Sequence, residues 1–329
     1  MEKTARIFVA GHRGLAGSAI TRKLQERGYS NLLLRSRDEL DLLDRSATCA
    51  FFDRMRPEYV FFAAAKVGGI LANRDRPADF IAQNLDIQNN VLESSLATDV
   101  KRLLFLGSSC IYPKMAPQPL KEEYLLTGPL EFTNRSYAIA KIAGIEMCWA
   151  FNRQYGTKFL AAMPTNLYGP GDNYDLQTSH VLPALIRKTH EAVTNRQKTL
   201  TVWGTGTPLR EFLYSDDMAD ACIYLMNLSE AQFETIISAP DGPPLINVGT
   251  GHDLTIRDLA SNVSAVMGFE GKIVFDSTKP DGTPRKLLDS TKLFGLGWRP
   301  SISLEHGIQL AWEDYGLQLQ QVQEPTLRP

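Results

Sequence analysis

The sequence predicts an α/β chain, with a doubly wound parallel sheet and a smaller C-terminal α/β domain. Three observations predict it. Short apolar runs alternate with helix-period stretches through four cycles in the first half. The first run passes straight into a glycine-rich turn. The fourth, Leu103-Leu104-Phe105-Leu106, ends in Gly107-Ser108-Ser109-Cys110, which puts small polar side chains at a carboxyl edge. In open parallel sheets that edge is where ligands bind.

In order, Arg6 to Ala10 is a short apolar strand. Gly11-His12-Arg13-Gly14-Leu15-Ala16-Gly17 follows, then a helix on which Leu15, Ala19, Ile20 and Leu24 share one face and which Gly28 stops. Glycines spaced G-x-x-G-x-x-G at a strand-to-helix turn let backbone approach a pyrophosphate, with open N–H groups at the helix start. Residues 11 to 17 are therefore a candidate dinucleotide site. The second strand, Asn31 to Leu34, runs into Arg35-Ser36-Arg37. An NAD site usually carries an acid there for the ribose 2′-hydroxyl, whereas arginine accommodates a 2′-phosphate. Arg37 and Arg13 thus favour NADP(H), with Asp38 close behind and Asp41-Leu42 placed to pass under the adenine.

A helix from Ser46 to Met55 leads to a third strand, Tyr59 to Ala65, and a loop, Lys66 to Ile70. A long helix from Pro77 to about Thr98 precedes the fourth strand, Pro77 suiting its first turn. Ser136 to Tyr155 reads as helix and Phe159 to Pro164 as a fifth strand. A polar loop from Thr165 to Gly171 follows that strand, and beyond His180 a further helix includes Leu182 to Lys188. The tail beyond about Leu319 reads as weakly structured.

Composition narrows the partners. A net charge of −2 over 329 residues offers no electrostatic case for nucleic acid or a membrane surface. The four cysteines, Cys49, Cys110, Cys148 and Cys222, form no C-x-x-C pair, so neither a metal site nor a disulfide framework is expected. No apolar run approaches the ~18 residues of a membrane span. With no signal-peptide pattern, the expected location is cytoplasmic.

Tyr137 and Lys141 lie four apart on a predicted helix, hence one turn apart on one face. A phenol titrates near ~10 and is a poor acid at neutral pH, and a nearby ammonium favours its ionised form. With the glycine turn and Ser108 at the end of strand four, this spacing resembles the extended short-chain dehydrogenase/reductase family. The resemblance implies a Rossmann-type NADP-binding domain over 1–165, with returning pieces near 211–228 and 246–249. Residues 166–329 would be mainly a substrate-binding domain. It implies that Ser108 and Tyr137 hydrogen-bond a substrate carbonyl or hydroxyl, while Lys141 binds the nicotinamide ribose and tunes Tyr137. The expected cofactor contacts extend to Leu106, Gly107, Ser109, Pro164, Thr165, Asn166, Leu167 and His180.

Longer segments resemble one branch of that family: Gly11 to Gly14, Ala63 to Ile70, Gly107 to Pro113, Tyr137 to Gly144, Met163 to Pro170 and Lys279 to Lys286. That branch epimerises GDP-4-keto-6-deoxy-D-mannose at C3 and C5 and then reduces C4 with NADPH. Both carbons are α to the ketone, so proton removal leaves an enolate that two hydroxyl donors can stabilise. Inversion needs a base on one face and an acid on the other. Cys110 and His180 would be that pair, with thiol and imidazole titrating near ~8.5 and ~6.5; which of them removes the proton stays open. The resemblance also implies that Lys188, Trp203, Arg210 and Asp281 contact the GDP-sugar, joined by Asn166, and that the chain forms a homodimer. A 4,6-dehydratase of the same frame would carry an Asp-Glu pair where this chain has Ser109-Cys110. A 4-epimerase would keep NAD, which the arginines of the second strand disfavour. A non-catalytic NADP-binding protein would tend to lose Tyr137 or Lys141.

Overall fold

The computed structural model describes residues 1–68, 70–239, 242–279 and 281–323. Its first half alternates as β1 (Ile7–Ala10), α1 (Leu15–Glu26), β2 (Leu32–Leu33), α2 (Arg45–Met55), β3 (Tyr59–Phe62), α3 (Ile70–Asp75), α4 (Pro77–Ala97), β4 (Arg102–Leu106), α5 (Arg135–Tyr155) and β5 (Phe159–Pro164). The second half continues with β6 (Asn166–Tyr168), α6 (Val181–Thr194), β7 (Thr199–Trp203), β8 (Leu209–Arg210), β9 (Phe212–Tyr214), α7 (Ser215–Met226) and α8 (Glu230–Ile237). Then come β10 (Leu245–Val248), β11 (Leu254–Thr255), α9 (Ile256–Val266), β12 (Lys272–Asp276), β13 (Arg285–Lys286), α10 (Thr291–Gly295) and α11 (Leu304–Gln323).

Six strands form one parallel sheet in the order β10-β5-β4-β3-β1-β2. The fold is Rossmann-like. Successive residues of a strand face opposite sides, and both sides are covered. Ile7 and Val9 join Ala19, Ile20 and Leu24 of α1 and Met218, Cys222 and Ile223 of α7. Phe8 joins Phe51 and Phe52 of α2, Val91 of α4 and Ile145 of α5 on the other side. Strands buried on both faces read as unbroken apolar runs, which is why they were legible. A third core, with Leu182, Leu185, Val202, Phe212, Leu259, Val263 and Ile308, holds the C-terminal elements together.

Three differences from expectation exceed one residue at an element's end. β3 stops at Phe62 rather than Ala65, because its partner β1 ends at Ala10, where the chain turns at Gly11. Of the 211–228 stretch, Phe212–Tyr214 pairs with β6 outside the main sheet, and α7 supplies a covering helix rather than a strand. By contrast Leu245–Val248 pairs in parallel with β5. The C-terminal helix runs to Gln323, past Leu319, because Ile308, Ala311 and Tyr315 dock it on the third core. Gly69, Pro280 and the end of the tail from Glu324 lie outside the described residues.

Candidate active site

The glycine turn is built for close approach. Gly11 takes φ +83°, and a Cβ there would meet the Ala64 backbone at 2.9 Å. A Cβ on Gly17 would collide with the Gly11 carbonyl. Gly14 caps α1 without a side-chain hydrogen bond, so no side chain claims the first-turn N–H groups. His12 Nδ1 is buried without a partner beside this turn, and burial, then the Arg13 charge, push its pKa down. An orphaned polar atom and a cradle that any Cβ would fill both fit a bound dinucleotide phosphate.

At the end of β2 the acids are engaged locally. Glu39 accepts from the Ser36 N–H at 2.7 Å and from its hydroxyl at 2.8 Å. Asp41 accepts from the Leu43 N–H and pairs with Arg37 at 3.5 Å. Arg13, Arg37 and Asp38 are exposed, so two guanidinium groups remain within this region for a 2′-phosphate. Leu42 lies beside them, its carbonyl accepting from Asn90.

β4 and α5 bring the reactive side chains together. Ser108 is extended (φ −155°, ψ 142°) and is followed by one 3₁₀ turn over Ser109–Ile111. Gly144 lets α5 press against β4, since a Cβ there would strike the Phe105 ring. Lys141 is buried and donates to the Leu106 carbonyl at 2.8 Å. Its ammonium lies 5.9 Å from the centroid of the Tyr137 ring, and Phe80 meets that ring edge-on at 6.4 Å. The Ser108 hydroxyl favours the ionised forms of both Tyr137 and Cys110.

The expected lowering of Tyr137 by Lys141 is not what the structure gives. Burial, then the neighbouring Cys110, push the phenol well above its ordinary value, and burial brings Lys141 itself down to about 8. Desolvation is the largest cause, and the Ser108 hydroxyl alone opposes it. A phenol with a raised pKa is fully protonated at neutral pH, which is the state a proton donor needs.

Cys110 is only 6% exposed, and burial raises its thiol while Lys286 and Ser108 pull it back. His180 is the N-cap of α6. The residue keeps access to solvent, and desolvation followed by the Lys286 charge lowers its pKa. Both groups therefore rest uncharged near neutrality.

The candidate substrate residues fall into two groups. Lys188 and Lys279 flank the exposed Trp203 ring, 4.9 and 5.4 Å from its centroid. Asp281 accepts from the Thr205 N–H at 3.0 Å and from its hydroxyl at 2.7 Å, so it shapes the turn after Trp203. Arg210 is held by the Leu209 carbonyl at 2.7 Å and has Asp281 as its nearest opposing charge. Asn166 and Thr165 both donate to the Glu211 carbonyl, at 2.8 and 3.2 Å, tying the loop after β5 to β8 and β9. Pro164 ends β5 beside Val248, and Leu167 pairs with Leu213. Leu106, Gly107 and Ser109 stay at the carboxyl end of β4.

One residue that sequence reasoning missed is Lys286. It is the Cα partner of Arg210 across β8 and β13 and lines a cavity with Cys110, Ser109, Glu131 and Asn134. The only sequence signal was its place at the end of the Lys279 to Lys286 segment.

A parallel sheet wound on both faces, a glycine-turn phosphate cradle and a Ser-Tyr-Lys cluster at the sheet's carboxyl edge define a nucleotide-dependent oxidoreductase or epimerase. The chain belongs to the NAD dependent epimerase/dehydratase family, which matches residues 7–238. It is also similar to named proteins over nearly its full length. It is 55% identical to GDP-L-fucose synthase 1 of Arabidopsis thaliana, over 95% of this chain and 94% of that one. It is 54% identical to the GDP-L-fucose synthase of Escherichia coli K12, over 94% of this chain and 95% of that one. Among solved structures it is similar to a GDP-mannoheptose C4 reductase from Campylobacter jejuni with NADP bound, with a TM-score of 0.85 and 41% identity over 96% and 99% of the two chains.

Proposed function

We propose that the chain converts GDP-4-keto-6-deoxy-D-mannose to GDP-L-fucose, by 3,5-epimerisation and then 4-keto reduction with NADPH. The observation that carries this reading is the company Ser108 and Tyr137 keep. Cys110 is near enough to feel Ser108 and to act on Tyr137, and a single ammonium, Lys286, acts on both Cys110 and His180. A reductase alone needs the Ser-Tyr-Lys cluster. A second pair of groups that gain and lose protons is what inversion at two carbons adds.

In this reading Ser108 and Tyr137 hold the C4 oxygen. As a proton leaves C3 or C5, negative charge collects on that oxygen, and fixed donors in a water-poor site stabilise it without reorganising. Cys110 and His180 exchange protons with the two faces of the sugar. NADPH, when bound at the glycine turn, supplies the hydride that C4 accepts. Tyr137 then gives its proton to the oxygen, and Lys141 holds the nicotinamide ribose. Arg210 binds the diphosphate, because a guanidinium can hold two oxygens at once. Trp203 and Lys188 receive the guanine. The dehydratase alternative lacks its acids, since Ser109 and Cys110 occupy the decisive positions.

The chain works as a homodimer in the cytoplasm in this account. Among the described residues no helix is long and apolar enough to cross a membrane. Light scattering on the purified protein tests the oligomeric state. For the reaction, the protein is incubated with GDP-4-keto-6-deoxy-D-mannose and NADPH and the product identified. GDP-L-fucose is expected, whereas a 4-hydroxy product with C3 and C5 unchanged would reduce the reading to a C4 reductase.

A further inference from the structure

Lys286 stands out because it lies, half-buried, on the wall of the Cys110 cavity and makes no hydrogen bond or ion pair there among the described residues. Among the described residues no carboxylate is within ion-pair distance of its ammonium and no carbonyl accepts from it. The charges that act on it are Cys110 and Glu131, which favour its protonated form, and Arg210, which opposes it. A half-buried charge with no hydrogen-bonded partner is costly, so folds retain it where the charge itself is used.

Its position is also fixed from both sides. The Leu287 N–H donates to the Gln118 side chain at 3.0 Å, and the Leu120 N–H donates to the Leu287 carbonyl at 2.7 Å. The Asp289 N–H returns to the Leu120 carbonyl at 2.8 Å, and the Leu288 N–H is held by the buried Glu211 carboxylate at 3.0 Å. Gln118 and Leu120 belong to the segment that leaves the Cys110 turn. The backbone flanking Lys286 is therefore clamped to the same segment, and the two side chains face one cavity.

We propose that Lys286 is a positioning residue for the epimerisation, the fixed counter-charge for negative charge on the Cys110 sulfur. The inference rests on the reading above in assigning proton transfer to Cys110, but not on which group is the base. If Cys110 is the base, the C–H proton passes to a thiolate, giving a thiol and an enolate. If it is the acid, the thiol proton passes to carbon, giving a thiolate. The sulfur is anionic on one side of either step, and Lys286 stabilises that side. The other charges facing Cys110 are few. Lys141 acts in the same direction from α5, and so does the Ser108 hydroxyl. His180 faces Lys286 with the opposite consequence, since the ammonium disfavours the imidazolium.

The test uses Lys286→Met, which keeps length and removes charge, and Lys286→Arg, which keeps charge. The first readout is thiolate absorbance of the substrate-free protein against pH, with the Cys110→Ser counterpart of each variant subtracted. Lys286→Met is expected to titrate about one unit higher than wild type, and Lys286→Arg to return most of the shift. The second is deuterium wash-in from heavy water at the carbons flanking the ketone, without NADPH. Lys286→Met is expected to slow kcat about tenfold or more, with KM changed far less, as for loss of a group acting in the transition state. An unchanged thiol titration in a folded Lys286→Met variant overturns the proposal. So does a KM rise with kcat intact, which would make Lys286 a substrate-phosphate contact only. Because the titration needs no substrate, it stands even if the sugar nucleotide has been misassigned.

Discussion

The Lys141 ammonium is tied to the carbonyl of Leu106, the last residue of β4, at 2.8 Å. One bond thus locks the helix carrying Tyr137 to the strand that presents Ser108 and Cys110. The arrangement is costly to the fold, because the same burial that fixes Lys141 lowers its pKa to about 8.

That cost has a sign that stability measurements can read. The unfolded chain holds the Lys141 proton up to about pH 10.4, whereas the folded chain releases it near 8. Between those values the unfolded state binds more protons, so stability rises with pH, and below about 8 the full penalty applies, on the order of 1–3 kcal/mol. Lys141→Met should melt higher than wild type at neutral pH, with the gap closing toward pH 10, and should lose reductase activity. Thermal melts across that range decide it. A variant less stable at neutral pH would mean that the Leu106 bond outweighs desolvation.

Cys110→Ser should cut epimerisation by about 10²–10⁴-fold, the usual worth of a positioned acid or base. The hydroxyl cannot share protons near neutral pH, but it fits the same space. NADPH binding, followed by fluorescence, should be unchanged because the glycine turn is untouched. Deuterium entering C3 and C5 at the wild-type rate would remove Cys110 from the chemistry.

Arg13→Ala and Arg37→Ala should each erode the preference for NADPH over NADH by about tenfold or more, the value of a hydrogen bond to a charged group. Arg37→Ala also frees Asp41 from its ion pair, leaving an unpaired carboxylate beyond β2, the region where an NAD site carries an acid. The ratio of kcat/KM for the two cofactors is the measurement. Equal turnover with NADH in the wild-type protein would remove the 2′-phosphate assignment.

Trp203→Ala should raise KM for the sugar nucleotide with kcat little changed, since stacking a base is uniform binding rather than transition-state binding. Aromatic stacking on a base contributes about 1–3 kcal/mol, so the change should be roughly 5- to 150-fold. Competitive inhibition by GDP should weaken in parallel. If GDP inhibition is unaltered, the guanine lies elsewhere.

The sheet was legible because parallel strands buried on both faces have no polar positions to hide the pattern. The glycine turn was legible because Gly11 and Gly17 sit where a Cβ cannot. Ser108, Tyr137 and Lys141 could be read from the strand end and the four-residue helical spacing. Lys286 could not. It sits on a two-residue strand with no periodicity, and its meaning comes from a cross-strand pairing with Arg210 and a clamp to Gln118 and Leu120. The spacing of Tyr137 and Lys141 shows that an ammonium is near the phenol, but not how much water the site excludes, and burial is the largest influence on that phenol.

The late return of β10 has a consequence for synthesis on the ribosome. β5 ends at Pro164 and its outer neighbour begins at Leu245, with residues 165–244 made in between. At cellular translation rates that is roughly 4–16 s during which the outer edge of β5 has no partner. Its six residues, Phe159 to Pro164, are all buried in the finished protein. A nascent chain stalled in this window would present an apolar, unpaired strand edge, so its yield should depend on chaperones more than the stability of the completed fold would suggest.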